Sequence, residues 1–389
     1  MISIEEARAA VLAAVTPLGA EEVALAAAHG RVLAEDVAAA HDVPPFANSA
    51  MDGFALRAAG AGGPLRLGGE SRAGAPFAGT VLPGQAVRIS TGAALPAGAD
   101  AVVPVERATV AGELVTIDGE VAPGDHVRGA GEDLRAGAIV LRRGSRLGAA
   151  ELGVAAGAGR AGVLVAHRPR VAVVATGDEL VPAGEPLGPG QIHDSNALAL
   201  AALAADAGAE VVASLRAGDG QAATVAALRT ALDEADVVLT SGGVSVGPHD
   251  HVKAALAELG VRERFWRVAL RPGKPTWFGE RDGVLVFGLP GNPVSALVTF
   301  TLFARPALAA LQGAPPPARR RVVLAEPIER HESRDEAVRV RLDEDGRAHP
   351  TGPQGSHQLS SMVGADALAI VPRGTGRMES DATLLAELL

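Results

Sequence analysis

Four loops between residues 170 and 300 carry the residue types that phosphate chemistry uses. Ser241-Gly242-Gly243 ends the β-branched run Val237-Val238-Leu239-Thr240. Only glycine leaves a bare backbone there, able to approach a ligand closely. Asp250 follows at the mouth of a helical pattern from His251 to Leu259, so a carboxylate is expected beside the glycine turn. Asp178 and Glu179, in Ala175-Thr176-Gly177-Asp178-Glu179, are adjacent acids after a second apolar run. They suit a hydrated Mg²⁺, which takes one or two carboxylates and fills its shell with water and phosphate oxygens. Pro290-Gly291-Asn292-Pro293 is a tight turn with proline opening a long helix, whose free N–H groups and dipole attract anions. Arg271-Pro272-Gly273-Lys274-Pro275 sets two cations in a proline-stiffened loop; arginine offers a planar fork and lysine a point charge. Together these loops describe a site for a phosphorylated anionic ligand. A further polar stretch, Gln191-Ile192-His193-Asp194-Ser195-Asn196, is read as structural, with Asp194 or Ser195 as a helix N-cap.

The elements that must position these loops follow from the alternation of the chain. Strands are expected at 170–175, 210–215, 236–240 and 284–288, and helices at 195–207, 221–234, 251–259 and 293–311. Strands interleaved with helices of that length imply a mostly parallel sheet covered on both faces, a three-layer α/β domain over 169–314 whose strand ends bind the ligand. Upstream, residues 4–39 read as helices and short turns, opened by the capping box Ser3…Glu6. Residues 149–156 read as helix again, so 1–45 and 140–168 are expected to form one discontinuous helical domain. Between them, 46–139 breaks into short β-like runs such as Val87-Arg88-Ile89 and Leu114-Val115-Thr116-Ile117, an inserted β domain. Ala314-Pro315-Pro316-Pro317 is a stiff linker to a small C-terminal β domain, 318–389, with Arg321-Val322-Val323-Leu324 and Val338-Arg339-Val340-Arg341-Leu342 as strands.

Composition removes several classes of function. A net charge of -10 argues against a general nucleic-acid binder, which needs a basic face. The chain has no cysteine, so disulfides, thiolate metal sites and cysteine nucleophiles are excluded. No apolar run reaches membrane-spanning length without a charge or glycine, and Met1-Ile2-Ser3-Ile4-Glu5-Glu6 lacks the basic start of a signal peptide; a cytoplasmic protein with no membrane partner is expected. Gly157-Ala158-Gly159-Arg160-Ala161-Gly162 matches a dinucleotide-binding pattern, but follows a helix and precedes a strand, the reverse of that unit. His249, Asp250 and His251 cannot share a helix face and have no clear third ligand, so zinc is not expected. Gly243-Val244-Ser245-Val246-Gly247 fits the letters of a nucleophile elbow, which leaves a serine hydrolase as an alternative.

Five motifs, in order, resemble the molybdopterin molybdenumtransferases, the bacterial MoeA proteins and the E domain of gephyrin. They are Asn48-Ser49-Ala50-Met51-Asp52-Gly53-Phe54-Ala55, Thr176-Gly177-Asp178-Glu179, Ser241-Gly242-Gly243-Val244-Ser245-Val246-Gly247, Pro272-Gly273-Lys274-Pro275 and Gly288-Leu289-Pro290-Gly291-Asn292-Pro293-Val294-Ser295-Ala296. The resemblance runs to about residue 380. It implies a helical domain with an inserted β domain, a three-layer α/β domain and a β-barrel-like C-terminal domain. It implies a homodimer with each active site at the subunit interface, and possible contact with other molybdenum cofactor biosynthesis proteins. The implied reaction joins molybdate to adenylylated molybdopterin and releases AMP, with Mg²⁺ as cofactor. By resemblance, Asp52, Thr91, Asp133, Glu179, Asp250 and Lys274 are the catalytic residues, and Glu179, Asp219 and Asp250 the metal ligands. Ser241, Gly242, Gly243, Ser245, Arg271, Pro290, Gly291, Asn292, Pro293, Arg339 and Ser356 would bind substrate. Phe54 stands where the family commonly has tyrosine, Arg271 where many members have lysine, and Asp219 where a double acid before proline is usual. The dithiolene sulfurs must come from the substrate, since the chain has no cysteine. Two further alternatives are a non-catalytic gephyrin-like scaffold and a CinA-like nucleotide pyrophosphate hydrolase.

Overall fold

A computed structural model describes residues 1–218, 220–244 and 251–389. Its centre is a six-stranded sheet in the order Glu210–Ala217, Arg170–Thr176, Val237–Ser241, Val284–Leu289, Trp277–Arg281, Arg262–Trp266. The first four strands are parallel and the last two antiparallel. Burial on both faces explains the apolar runs. Val171, Val173, Val237 and Leu239 pack on one side with Leu200 of the Ser195–Asp206 helix. Ala172, Val174 and Val238 pack on the other with Leu228 and Leu256, from the Gln221–Glu234 and Val252–Glu258 helices. The four expected strands and the first three expected helices stand within three residues of their predicted bounds. The two antiparallel edge strands are additional: Arg262-Glu263-Arg264 is mostly charged and exposed, so its sequence carries little strand signal.

The fourth expected helix is interrupted. It runs Pro293–Thr299, passes through a π-helical turn at Phe300–Ala304, and resumes at Arg305–Leu311. Pro306 has no N–H and its ring crowds the carbonyl four residues back, which widens the preceding turn. That carbonyl, Leu302 O, accepts from Arg8 Nε at 3.3 Å. Arg8 Nη2 also reaches Glu387 at 2.6 Å, and Glu387, 2% exposed, takes Arg319 Nε at 2.7 Å as well. The proline break is therefore where the first helix, the core helix and the last strand meet. The helix is apolar and long enough to cross a membrane, yet 83% of its most apolar stretch is buried inside the protein.

The helical pattern over 4–39 resolves into a single α-helix, Ile4–Leu12, with the Ser3–Glu6 capping box formed as expected. Its Ile4, Ala7 and Val11 join the core under the α/β sheet. Ala20–Ala24 is a strand instead, paired antiparallel with Gly162–Ala166. Alanine and glutamate favour helix locally, but a long-range backbone partner overrides that preference. The insert is a six-stranded sheet ordered Ala101–Pro104, Gly53–Leu56, Gln85–Ile89, Leu65–Ser71, Leu114–Ile117, Ala108–Ala111. The C-terminal strands Asp335–Leu342, Arg347–Pro350, Arg319–Leu324, Thr383–Leu388 and Ala367–Val371 pair in turn, and the last returns to the first, closing a five-stranded barrel. Closure removes the unpaired edge of a small β domain.

Candidate active site

The parallel strands end side by side. Ala175 pairs with Ser241, and Ser241 with Leu289, so the loops that follow open into one space. That space is a cleft of ≈ 750 Å³ between the strand ends and the C-terminal barrel. Thr176, Glu179, Ser241, Gly242 and Gly243 line one wall; Pro290, Gly291, Asn292 and Pro293 line another, and His357 comes from the barrel. The two glycine turns face each other closely: a Cβ on Gly291 would lie 3.6 Å from Gly242 Cα. All four loops of the sequence reading reach this cleft, the Arg271–Pro275 loop through Pro275 alone.

Within the cleft the free donors are fewer than the sequence implies. Gly242 N–H is engaged by Leu289 O at 3.1 Å. Gly243 N–H has no acceptor among the described residues, so it is the amide that turn offers. At the Pro293 helix, proline has no N–H, and Val294 N–H donates to Ser356 O at 3.1 Å. Asn292 Nδ2 donates to Ser356 Oγ at 3.1 Å. The barrel therefore caps this helix, and Ser356 holds the cleft wall in place. Glu179 is exposed, with its carboxylate folded back over Gly177. Asp194 lines the cleft and also caps the next helix, accepting Ala197 N–H at 3.0 Å, as its N-cap reading requires.

The remaining candidates stand apart from that wall. Arg271 belongs to a short strand beside Asp335–Glu336 of the barrel, with its guanidinium 3.6 Å from Glu336. Lys274 is exposed on the same loop, of which Pro275 reaches the cleft. Arg339 is fully buried and does not line the cleft. It donates to Ser361 Oγ at 3.1 Å and to the carbonyls of Pro353 and Gly355 at 3.3 Å each, gripping the loop that carries Ser356 and His357. Asp52, Thr91 and Asp133 are exposed outside the cleft of their own chain. Asp52 Oδ1 accepts Thr91 N–H at 2.8 Å, so those two form a pair. Asp219, Asp250 and Ser245, which is also the serine of the elbow-like pattern, lie outside the described residues.

Asn196 is the residue whose role the sequence did not reveal. Its Nδ2 donates to Ser241 Oγ at 2.8 Å and to Gly291 O at 2.7 Å, so one amide ties both glycine turns. The reading of its stretch stopped at the cap. His193 and His357 also line the cleft without having been singled out.

A doubly covered α/β sheet with glycine turns at its strand ends, joined to a β insert and a closed barrel, defines a multidomain protein with a glycine-lined cleft at those strand ends. Three family models match in chain order: the MoeA N-terminal region over residues 2–159, a probable molybdopterin-binding domain over 172–310, and the MoeA C-terminal region over 321–388. A molybdopterin molybdenumtransferase 2 of Mycobacterium tuberculosis is 40% identical over 365 residues, 90% of each chain. A molybdopterin molybdenumtransferase of Haemophilus influenzae is 36% identical over 100% of this chain and 98% of its own. A solved molybdopterin biosynthesis MoeA protein from Pyrococcus horikoshii superimposes with a TM-score of 0.85 at 28% identity, covering 100% of both chains. The chain belongs to the molybdopterin molybdenumtransferase family.

Proposed function

We propose that this chain is a molybdopterin molybdenumtransferase that takes adenylylated molybdopterin and molybdate, inserts molybdenum and releases AMP. The observation that carries the reading is the cleft where the Ser241–Gly243 and Pro290–Pro293 turns meet at parallel strand ends. Bare backbone and small polar groups there suit a diphosphate link, and binding would position it for cleavage as molybdenum enters the dithiolene. Lys274 would supply mobile positive charge at the rim. Ser356 would fix the wall on which the oxyanion arrives, and Arg339 would act through the loop it grips.

No group of three His, Asp or Glu converges on a metal position among the described residues. Among the described residues lining the cleft, Glu179 offers the exposed carboxylate, a donor set that fits Mg²⁺ sharing its shell with phosphate oxygens rather than a closed protein cage. When bound, the ion would supply positive charge against the diphosphate. The exposed Asp52–Thr91 pair and Asp133 support a homodimer in which the insert of one copy completes the cleft of the other.

The test is AMP release from adenylylated molybdopterin with molybdate and Mg²⁺. Molybdate-dependent release is expected, and Lys274→Ala should slow it roughly 100-fold, the scale for removing one charge-stabilising group. Release that ignores molybdate would support the hydrolase instead. Full activity in the variant would remove Lys274 from the site.

A further inference from the structure

The direction of one hydroxyl in the cleft follows from hydrogen-bond logic alone. Gly291 O can only accept, so the Asn196 atom 2.7 Å from it must be the amide nitrogen. The same nitrogen lies 2.8 Å from Ser241 Oγ and donates to it. Ser241 Oγ therefore accepts from Asn196, and its own hydrogen must point elsewhere. Among the described residues no acceptor takes it. Ser241 is 3% exposed and lines the cleft. A buried hydroxyl hydrogen without a protein acceptor is costly unless water or a ligand accepts it.

We propose that Asn196 is a positioning residue, orienting the Ser241 hydroxyl so that it donates into the cleft to a phosphate oxygen of the adenylylated ligand. This rests on the reading of the cleft as the ligand's phosphate site. Asn196 does so from the first turn of the Ser195–Asp206 helix, whose start Asp194 fixes. The amide's second bond, to Gly291 O, prevents it from turning to present its oxygen to Ser241. A carboxylate at 196 would invert the arrangement: it would accept the Ser241 hydrogen, turn it away from the ligand, and repel both Gly291 O and the phosphate.

Titration of AMP with Mg²⁺ into the full chain, followed by calorimetry, tests this in wild type, Asn196→Ala, Ser241→Ala, the double variant and Asn196→Asp. Each alanine variant should weaken AMP about 10-fold, and the double should weaken it by about the same 10-fold rather than 100-fold, because both remove one donated bond. Asn196→Asp should weaken it about 100-fold, with an unfolding midpoint near wild type. Additive losses in the double variant would make Asn196 a spacer of the two turns and overturn the proposal. So would wild-type affinity in Ser241→Ala, an arm that decides the matter even if Asn196→Asp does not fold. Wild-type protein that binds no AMP would overturn the reading of the cleft itself, a distinct outcome.

Discussion

Gly243→Ala should lower molybdate-dependent AMP release by about 100-fold or more. Gly243 has φ +69°, a conformation that costs an L side chain about 1–2 kcal/mol. Its Cβ would also collide with Val252 Cγ2 and come within 3.1 Å of Thr176 Oγ1. Val252 is buried in the core beneath the turn and has nowhere to go. The turn must therefore lift, carrying with it the amide it offers the cleft. A displacement on the order of 1 Å is enough to cost about 100-fold in a positioned reaction. The measurement is a rate on protein shown by circular dichroism to be folded. A folded variant above half the wild-type rate would remove Gly243 N–H from the ligand site.

Arg339→Ala should destabilise the barrel by about 3 kcal/mol or more and release residues 352–361. Arg339 is among the largest fully buried side chains, and its fork serves one hydroxyl and two carbonyls on that loop. Burial lowers the pKa of its guanidinium, and Glu336 opposes that. Truncation leaves Ser361 Oγ and Pro353 O without a donor, leaves Gly355 O only Gln358 N–H, and opens a void between the strand and the loop. Ser356 then loses its hold on Val294 N–H and on Asn292. Arg339→Lys should recover little, because a point charge cannot span a fork's acceptors. Thermal unfolding and protease cleavage within 352–361 report the effect. Loss of activity with an unchanged midpoint and an uncut loop would mean that Arg339 meets the substrate directly.

Legibility in the sequence followed the range of the interactions. The α/β half was readable because its four parallel strands are local apolar runs and two of its helices carry their own start signal, Asp194 and Pro293. Ala20–Ala24 was not, because its strand character comes from Gly162–Ala166, far along the chain. The glycine turns announced the cleft, since a bare backbone at a strand end has few other uses. The coupling across them was hidden: Asn196 meets Ser241 and Gly291 at separations of 45 and 95 residues. Likewise, nothing local in Val338-Arg339-Val340 says that its arginine is buried, or that Val294 N–H is taken by Ser356. A sequence shows which donors exist; packing decides which are already engaged.

The proline break in the core helix has a consequence for how the chain is made. Arg8 finds its acceptor at Leu302, 294 residues later, and its carboxylate at Glu387, 379 residues later. A domain usually folds as it leaves the ribosome, its earlier parts first. Here the Ile4–Leu12 helix emerges with no surface to bury its apolar side until the core helix exists, and Arg8 has no counter-charge until the last strand is threaded into the barrel. The Ile4–Leu12 helix and the Thr383–Leu388 strand therefore depend on the same broken turn for their partners, although nearly the whole described chain separates them.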